Sequence, residues 1–260
     1  MLWKHAYLIK QFTVRDLWSR YKGSYLGILW SFVFPLLMLV IYTFVFSVVF
    51  ESKWGTNVGE SKVDFAIILF AGMTVFGLFS EVVNRAPGII VSNVNYVKKV
   101  VFPLEIFPIV LLSTAFIQFS ISCGILLFAI LVFKQIIPWT VVFIPLVVFP
   151  LCLISLGLAW ILSAVGVYLR DIGQILNVGV TALLFLSPIF YPVSAVPEKF
   201  RAMFQYNPLS YIVEDFRRVA IWGQMPHWGN WLLWSGIGLI FSLVGFYLFK
   251  KLRKGFADVL

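Results

Sequence analysis

Charged residues are scarce in this 260-residue chain. Only 12% of the residues are Asp, Glu, Lys or Arg, whereas 61% are hydrophobic and 18% are aromatic. Soluble domains are roughly half apolar and carry about 25% charged residues. The composition therefore excludes an ordinary soluble domain and predicts an integral membrane protein. The formal charge of +9 then indicates contact with membrane headgroups and a topology signal, not nucleic acid.

Residue types that build catalytic and metal sites are also few. The two cysteines, Cys123 and Cys152, lie inside apolar runs, so we expect small buried side chains and neither a disulfide nor a metal site. The two histidines, His5 and His227, stand at polar edges without metal-ligand spacing to Cys or carboxylates. No GxxxxGK[ST] phosphate loop occurs in the sequence, which excludes nucleotide binding by that device. We therefore expect no catalytic residue, metal or cofactor in this chain.

Long apolar runs dominate what is present. A helix needs about 20 apolar residues to cross roughly 30 Å of hydrocarbon. Six runs qualify, which predicts an all-α integral membrane protein with six transmembrane helices. The runs are 25–50, 63–83, 104–133, 140–168, 175–191 and 229–249. The side that would hold both termini carries thirteen Lys and Arg against seven on the other, so both termini are predicted to be cytoplasmic.

Ionisable residues are missing from the middle of most runs. Ion-coupled carriers usually keep such residues at mid-depth, because charge there is costly and persists only for function. Glu81 and Glu105 stand near the ends of the second and third runs. We expect them to pair with Arg85 and with Lys98 or Lys99. A transporter of this composition would take its energy from another chain.

The first 24 residues predict an interfacial helix. At 100° per residue, one sector collects most of its aromatic and apolar side chains. These are Trp3, Tyr7, Val14, Leu17, Trp18, Tyr21 and Tyr25. A simple topology anchor is the alternative role for this helix.

The connection between the second and third runs reads NRAPGIIVSNVNYVKKVVFP. Pro87 and Gly88 break it, and Ser92 or Asn93 is suited to cap a short helix that ends in lysines. Such a helix, lying on the cytoplasmic face, is suited to dock on a soluble partner. The alternative is a solvated loop whose lysines only set topology.

The stretch SPIFYPVSAVPEKFRAMFQYNP at 187–208 is too apolar for a watery loop and too rich in proline for a single span. Non-helical backbone at membrane depth is tolerated only where it packs in protein or lines water. We expect Pro188 and Pro192 to end the fifth run, and short helices near 197–206 and 208–221, the second capped by Asn207. Four cations are predicted to stay at the outer surface: Lys199, Arg201, Arg217 and Arg218.

Five motifs follow one another along the chain: RYKGSYLGILW, NVNYVKKVVFP, RDIGQIL, SPIFYP and YNPLSYIVEDFRR. Together they resemble the permease subunits of ABC-2-type polysaccharide exporters, which move O-antigen, capsule or teichoic acid. The resemblance implies a homodimeric channel in the bacterial cytoplasmic (inner) membrane, with two copies of a separate ABC ATPase that bind ATP and Mg²⁺. Within a single membrane domain it implies five parts: 1–24 as interfacial gate helix, 25–191 as spans one to five, 192–228 as outer re-entrant helices, 229–249 as span six and 250–260 as cytoplasmic tail.

Three groups of site residues follow from the resemblance. Aromatic rings suit a sliding glycan because weak, repeated contacts permit entry without trapping, and cations suit the diphosphate of a polyprenyl-linked substrate. The channel group is Tyr42, Phe46, Phe185, Phe190 and Tyr191. The gate and lipid-diphosphate group is Arg15, Arg20 and Lys22. The ATPase-coupling group is Asn93, Asn95, Tyr96, Lys98 and Lys99. Lipid-facing aromatics and topology charges are the alternative explanations.

The sequence thus predicts a permease, not an enzyme, that exports a lipid-linked polysaccharide with a second copy of itself, the ATPase and membrane lipids as partners. O-antigen is favoured as the polymer, with capsule or teichoic acid as alternatives. A membrane enzyme acting on polyprenyl-linked sugars is the alternative from another class, and its acidic candidates are Glu198, Glu214 and Asp215. A stand-alone channel is a third possibility, which the coupling-helix pattern disfavours.

Overall fold

The protein is all-α wherever its structure is described. A computed structural model describes residues 5–45, 62–98 and 102–260, and these residues form helices, turns and loops but no strand. The helices are α1 (Ala6–Arg20), α2 (Trp30–Tyr42), α3 (Lys62–Arg85), α4 (Val94–Lys98), α5 (Ile106–Lys134), α6 (Ile144–Tyr168), α7 (Ile172–Phe185), α8 (Glu198–Gln205), α9 (Pro208–Ala220), α10 (Trp228–Leu252) and α11 (Phe256–Val259). The predicted all-α fold class is confirmed.

Among the described residues, five helical segments are long and apolar enough to cross a membrane. They are Gly27–Val45, Val63–Gly88, Ile106–Lys134, Trp139–Tyr168 and Trp228–Val259. These segments match the first four predicted runs and the sixth. The final residues of the first run, 46–50, lie outside the described residues.

The fifth predicted run is shorter than expected. α7 has 14 residues, so it is about 21 Å long, against roughly 30 Å of hydrocarbon. The helix ends at Phe185, and the predicted boundary at residue 191 is wrong. Pro188 is the physical reason, because it lacks an N–H and disfavours a helical conformation at the residue before it.

α3 forms the centre of the bundle. Its residues 65–71 are all buried, and it contacts α5, α6, α7 and α9. α2 is mostly exposed by contrast. Only 11% of the apolar segment that contains it, Gly27–Val45, is buried within the protein. The chain therefore leaves the apolar surface of α2 for lipid or for another subunit.

The largest helix–helix contact, between α6 and α10, depends on glycine. A Cβ atom added to Gly245 would lie 2.5 Å from the backbone oxygen of Gly157, and one added to Gly157 would lie 2.9 Å from the oxygen of Phe241. Small residues let helix backbones approach closely in membranes. These two glycines therefore set the distance between α6 and α10.

We expect the substitution Gly245→Ala to destabilise the protein by about 1–3 kcal/mol, because the added methyl group overpacks a backbone contact. Thermal unfolding of the detergent-solubilised protein would measure the loss. Gly236→Ala is the matched control on the same helix, since no atom lies within 4 Å of its added Cβ. Equal melting temperatures for the two variants would contradict the assignment.

The bundle has two ends with different structures. At the α4 end, where α1 and α4 lie, the C-terminal ends of α6 and α10 meet through the Tyr168 hydroxyl, which donates to the Leu252 carbonyl at 2.8 Å. At the α9 end, the Trp231 indole donates to the Leu146 carbonyl at 2.7 Å. There the Thr140 hydroxyl also donates to the α9 residue Val219 at 2.6 Å.

Candidate functional site

Four charged side chains join α1 to the last turn of α3. Asp16 and Arg20 are four residues apart on α1, and Glu81 and Arg85 are four apart on α3, so each pair lies on one helix face. Arg85 Nη2 donates to both carboxylate oxygens of Asp16 at 2.8 and 2.9 Å, and Arg85 Nη1 donates to Glu81 at 3.2 Å. Arg20 completes the ring by contacting Glu81 directly and Asp16 at 3.7 Å. We call these residues the four-charge cluster, and its formal charge is zero.

An aromatic cluster fastens the segment around α4 to α1. The Phe12 ring lies 5.4 Å from Tyr96 and 5.7 Å from Phe107, and Phe102 lies 4.9 Å from Tyr96, as ring centroids. The Arg15 guanidinium sits 4.1 Å above the Phe12 ring and donates to the Tyr96 hydroxyl at 2.9 Å. Ring packing together with a cation–π contact makes this a cohesive joint.

Asn93 adds a polar link between the same elements. Its side-chain oxygen accepts from Arg15 Nη2 at 3.4 Å, and its amide nitrogen donates to the Ile89 carbonyl at 2.9 Å. One arginine of α1 therefore contacts both Asn93 and Tyr96, two of the predicted coupling residues. A displacement of the α4 segment would reach α1 through this arginine.

The C-terminal segment folds back onto the start of α5. Arg253 donates to the Glu105 carboxylate at 2.6 Å and to the Phe102 carbonyl at 3.0 Å, and the Phe256 side chain is fully buried. The sequence predicts a pair with Lys98 or Lys99. Among the described residues Glu105 pairs with Arg253 of the returning tail and not with Lys98, and Lys99 lies outside the described residues. Arg253 and Phe256 of the predicted tail 250–260 thus pack at the α4 end.

α1 turns its predicted apolar sector away from the protein. Tyr7 and Trp18 are 73% and 61% exposed, whereas Ile9, Phe12 and Thr13 of the same helix pack inward. The exposed aromatic side is the one that would meet lipid headgroups. α1 therefore packs one face against α5 and exposes the opposite, aromatic face.

The remaining predicted site residues are distributed over several places. Lys22, Asn95 and Lys98 are exposed, and Tyr42 lines a cavity between α2, α3 and α5. Phe46 and Lys99 lie outside the described residues.

The aromatic residues after α7 do come together. The Phe185 and Phe190 rings stack with centroids 5.7 Å apart, and the Tyr191 hydroxyl hydrogen-bonds to the Phe185 carbonyl. Phe185 is 57% exposed. The turn that Pro188 creates thus presents an open aromatic surface at the α9 end.

Arg217 holds this turn from inside the protein. Its side chain is fully buried and donates to the carbonyls of Ile68, Pro188 and Ile189 at 3.0, 2.7 and 3.0 Å. Two of these carbonyls belong to the non-helical backbone after α7, where no helix bond satisfies them. The prediction that Arg217 stays at the outer surface is wrong, because the broken backbone needs a buried donor. Gly72 leaves the space, since a Cβ there would lie 2.6 Å from the guanidinium.

A second buried charge sits on the same helix. Asp215 is 1% exposed and lies 2.7 Å from His227 Nδ1, and it also accepts from the backbone N–H of His227 at 3.0 Å. The Tyr211 hydroxyl contacts both the Asp215 carboxylate and the His227 carbonyl. Burial raises the pKa of Tyr211, and the hydrogen bond to Asp215 raises it further. This group fixes the start of α10 to α9.

The acidic residues considered for an enzyme site each form an ion pair with an arginine on the same helix. Glu198 is 90% exposed and lies 3.6 Å from Arg201, and Glu214 lies 3.7 Å from Arg217. Burial raises the pKa of Glu214, although Arg217 opposes the shift. No group of three His, Cys, Asp or Glu that could hold a metal ion occurs within residues 5–45, 62–98 and 102–260.

Comparison with known proteins identifies the family. The profile of the ABC-2 type transporter family matches residues 7–221. The chain is 26% identical to an O-antigen export system permease protein RfbA of Klebsiella pneumoniae, over 97% of this chain and 95% of the relative. A Myxococcus xanthus protein of the same name is 25% identical, over 99% and 96%. The polysialic acid transport protein KpsM of Escherichia coli is 22% identical, over 91% and 90%. With a family match over most of its length and relatives that align nearly end to end, the chain belongs to the ABC-2 type transporter family.

Proposed function

We propose that this chain is the membrane-spanning permease subunit of an ATP-driven exporter that moves a lipid-linked polysaccharide across the cytoplasmic (inner) membrane. The observation that carries the proposal is the nearly full-length match to relatives named as O-antigen export permeases. We take O-antigen as the polymer because the two relatives at 26% identity carry that name. A capsule polysaccharide export protein is 25% identical, so capsule is the second option. Teichoic acid stays a third option within the family.

The proposed partners are a second copy of this chain and two copies of a cytoplasmic ABC ATPase, which binds ATP and Mg²⁺. The ATPase would dock on the segment around α4, where Asn95 and Lys98 are exposed. Arg15 and the aromatic cluster support transmission of its movement, since they link that segment to α1. The four-charge cluster provides a second link, from the last turn of α3 to the same helix.

The proposed topology has six spans and cytoplasmic termini, with α7 as a short fifth span. α8 and α9 would form a re-entrant cap at the outer face. Buried Arg217 supports this topology, because it no longer counts as an outer-surface charge. Thirteen Lys and Arg then stand against six on the outer side, which strengthens the positive-inside asymmetry.

For the substrate we propose two contact regions. The stacked pair Phe185 and Phe190, with Tyr191, would offer ring faces to sugars near the outer end, together with Tyr42 and Phe46 along the channel. The lipid diphosphate would meet the gate at Arg15, Arg20 and Lys22. Arg20 binds Asp16 and Glu81, whereas Arg15 and Lys22 are exposed and form no ion pair within the described residues. The Arg15 guanidinium is already held by Phe12 and Tyr96, so we assign the direct phosphate contact to Lys22.

Reconstitution tests this function. We expect the chain to co-purify with the ABC ATPase of its exporter and to stimulate ATP hydrolysis when polyprenyl-diphosphate-linked O-antigen is added. Lysine is a strong phosphate partner, so Lys22→Glu should abolish most of the stimulation while leaving the complex assembled. Turnover of a polyprenyl sugar by the chain alone would overturn the proposal and favour the enzyme. An ATP hydrolysis rate that does not change when the lipid-linked glycan is added would overturn it as well.

A further inference from the structure

A cavity of about 470 Å³ lies within one subunit, between α2, α3 and α5. Its volume falls in the range of roughly 300–1,000 Å³ that is typical of ligand pockets. Most of its lining is apolar and includes Phe34, Met38, Tyr42 and Met73. In a bilayer, a hydrocarbon chain is the natural occupant.

The cavity continues into a polar end. A neighbouring cavity of about 400 Å³ shares Phe34, Glu81 and Gln118 with it and extends to Arg20 and Trp30. The two spaces together form a groove with an apolar body and a polar mouth, which we call the α2 groove. This shape matches an amphiphile and not a purely apolar molecule.

Two buried polar atoms at the mouth lack a hydrogen-bond partner among the described residues. Gln118 uses its amide nitrogen to donate to the Ser31 carbonyl at 2.9 Å, but its side-chain oxygen Oε1 has no donor. Arg20 binds carboxylates through Nη2, but its Nε has no acceptor. A buried polar group without a partner is unfavourable and calls for an explanation. Both atoms are enclosed by protein, so a ligand would reach this acceptor and this donor only after their side chains turn toward the groove.

The charges around the mouth of the groove indicate which kind of lipid headgroup would bind there. The four-charge cluster is neutral overall, so it offers no net attraction to a polyanion, and Glu81 would repel a diphosphate. A zwitterionic headgroup fits better. Its ammonium group would donate to Glu81. Once the side chains of Gln118 and Arg20 turn toward the groove, the ammonium would also donate to Gln118 Oε1, and the phosphate would accept from Arg20 Nε.

We propose that the α2 groove binds one phosphatidylethanolamine-type phospholipid per subunit, with an acyl chain between α2 and α3 and the headgroup at Arg20, Glu81 and Gln118. The bound lipid would fill the space that leaves α2 loosely packed and would hold it against α3 and α5. The groove shares Arg20 and Tyr42 with the residues proposed for the substrate path. Phospholipid binding in it is measured without export and does not depend on the proposed function.

Native mass spectrometry of the full chain in detergent tests the site. The probes are phosphatidylethanolamine, phosphatidylglycerol and undecaprenyl phosphate, each added to delipidated protein. We expect one phosphatidylethanolamine per subunit, and at least about tenfold weaker binding of the two anionic lipids. Equal binding of either anionic lipid would overturn the proposal.

Two glycines offer a matched pair of variants. Gly77 lines the groove and Gly124 lies outside it, and neither has an atom within 4 Å of an added Cβ. Gly77→Leu should fill the groove and remove the bound phosphatidylethanolamine, whereas Gly124→Leu should retain it. Retention by both variants would overturn the assignment.

A labelling experiment on the unaltered protein keeps the proposal testable if Gly77→Leu fails to fold. Phosphatidylethanolamine with a photoreactive acyl chain should crosslink to the groove methionines Met38 and Met73 or to their neighbours. Excess unlabelled phosphatidylethanolamine should suppress this labelling. Labels confined to other helices would overturn the proposal.

Discussion

Replacing Arg217 by methionine is expected to disrupt the α9 end of the protein. The variant leaves the buried carbonyls of Pro188 and Ile189 without their donor, whereas the Ile68 carbonyl lies inside α3. Each unsatisfied group costs about 1–3 kcal/mol, so we expect a loss of at least about 2 kcal/mol in the free energy of unfolding. For a chain of this size the melting temperature should fall by roughly 4–8 °C.

Thermal unfolding and the yield of monodisperse protein after solubilisation would measure this effect. Arg218→Met is the matched control, because Arg218 is the adjacent residue and is partly exposed. It donates to the Met225 carbonyl at 3.2 Å and lies 3.8 Å from the Asp215 carboxylate. Arg217→Lys should be intermediate, since an ammonium cannot reproduce the fork of a guanidinium. Equal melting temperatures for Arg217→Met and Arg218→Met would show that the buried guanidinium does not hold the turn.

Reversing one charge of the four-charge cluster is expected to uncouple export from ATP hydrolysis. Asp16→Arg places a third cation beside Arg20 and Arg85, so α1 should separate from the last turn of α3. We expect export by the reconstituted exporter to fall at least about tenfold while ATP hydrolysis continues. The double variant Asp16→Arg, Arg85→Asp restores opposite charges at this contact and should recover most of the export, as coupled neighbours do in a double-mutant cycle.

The ratio of exported glycan to hydrolysed ATP is the measurement, because a merely destabilised protein would lose both activities together. Lys10→Asp reverses an exposed charge elsewhere on α1 and should leave the ratio unchanged. If the double variant is as defective as Asp16→Arg alone, the cluster does not transmit movement in the way we propose. Normal export by Asp16→Arg would lead to the same conclusion.

Local signals in the sequence predicted most of the helices and some contacts. Hydropathy placed the starts of α3, α5 and α6 within a few residues, since a span needs only length and apolar composition. The pair Glu81–Arg85 follows from i, i+4 spacing and is confirmed at 3.2 Å. Asn207 is confirmed as the N-cap of α9, where its side chain accepts from Leu209 N–H at 3.0 Å. All of these features depend on neighbours in the sequence.

The burial of Arg217 could have been predicted from its position on α9, although the count of charged residues did not reveal it. On α9 it follows Val213 by four residues and precedes Ala220 by three, so it lies on the buried face of that helix. A positive-inside count treats every arginine as a surface charge and misses this position. The pairing of Asp215 with His227 left no comparable signal, because the two residues lie on either side of an irregular connection.

The sequence by itself determined that this is a membrane protein of helices, where most of them begin and end, and which family's motifs it carries. These properties follow from hydrophobic transfer and backbone hydrogen bonding within single segments. Only the tertiary structure decided that α1 bonds to α3 and α4, that the C-terminal segment binds Glu105, and that Arg217 lies inside. Such contacts join residues up to about 150 positions apart, and a buried charge is stable only where distant carbonyls or carboxylates converge on it.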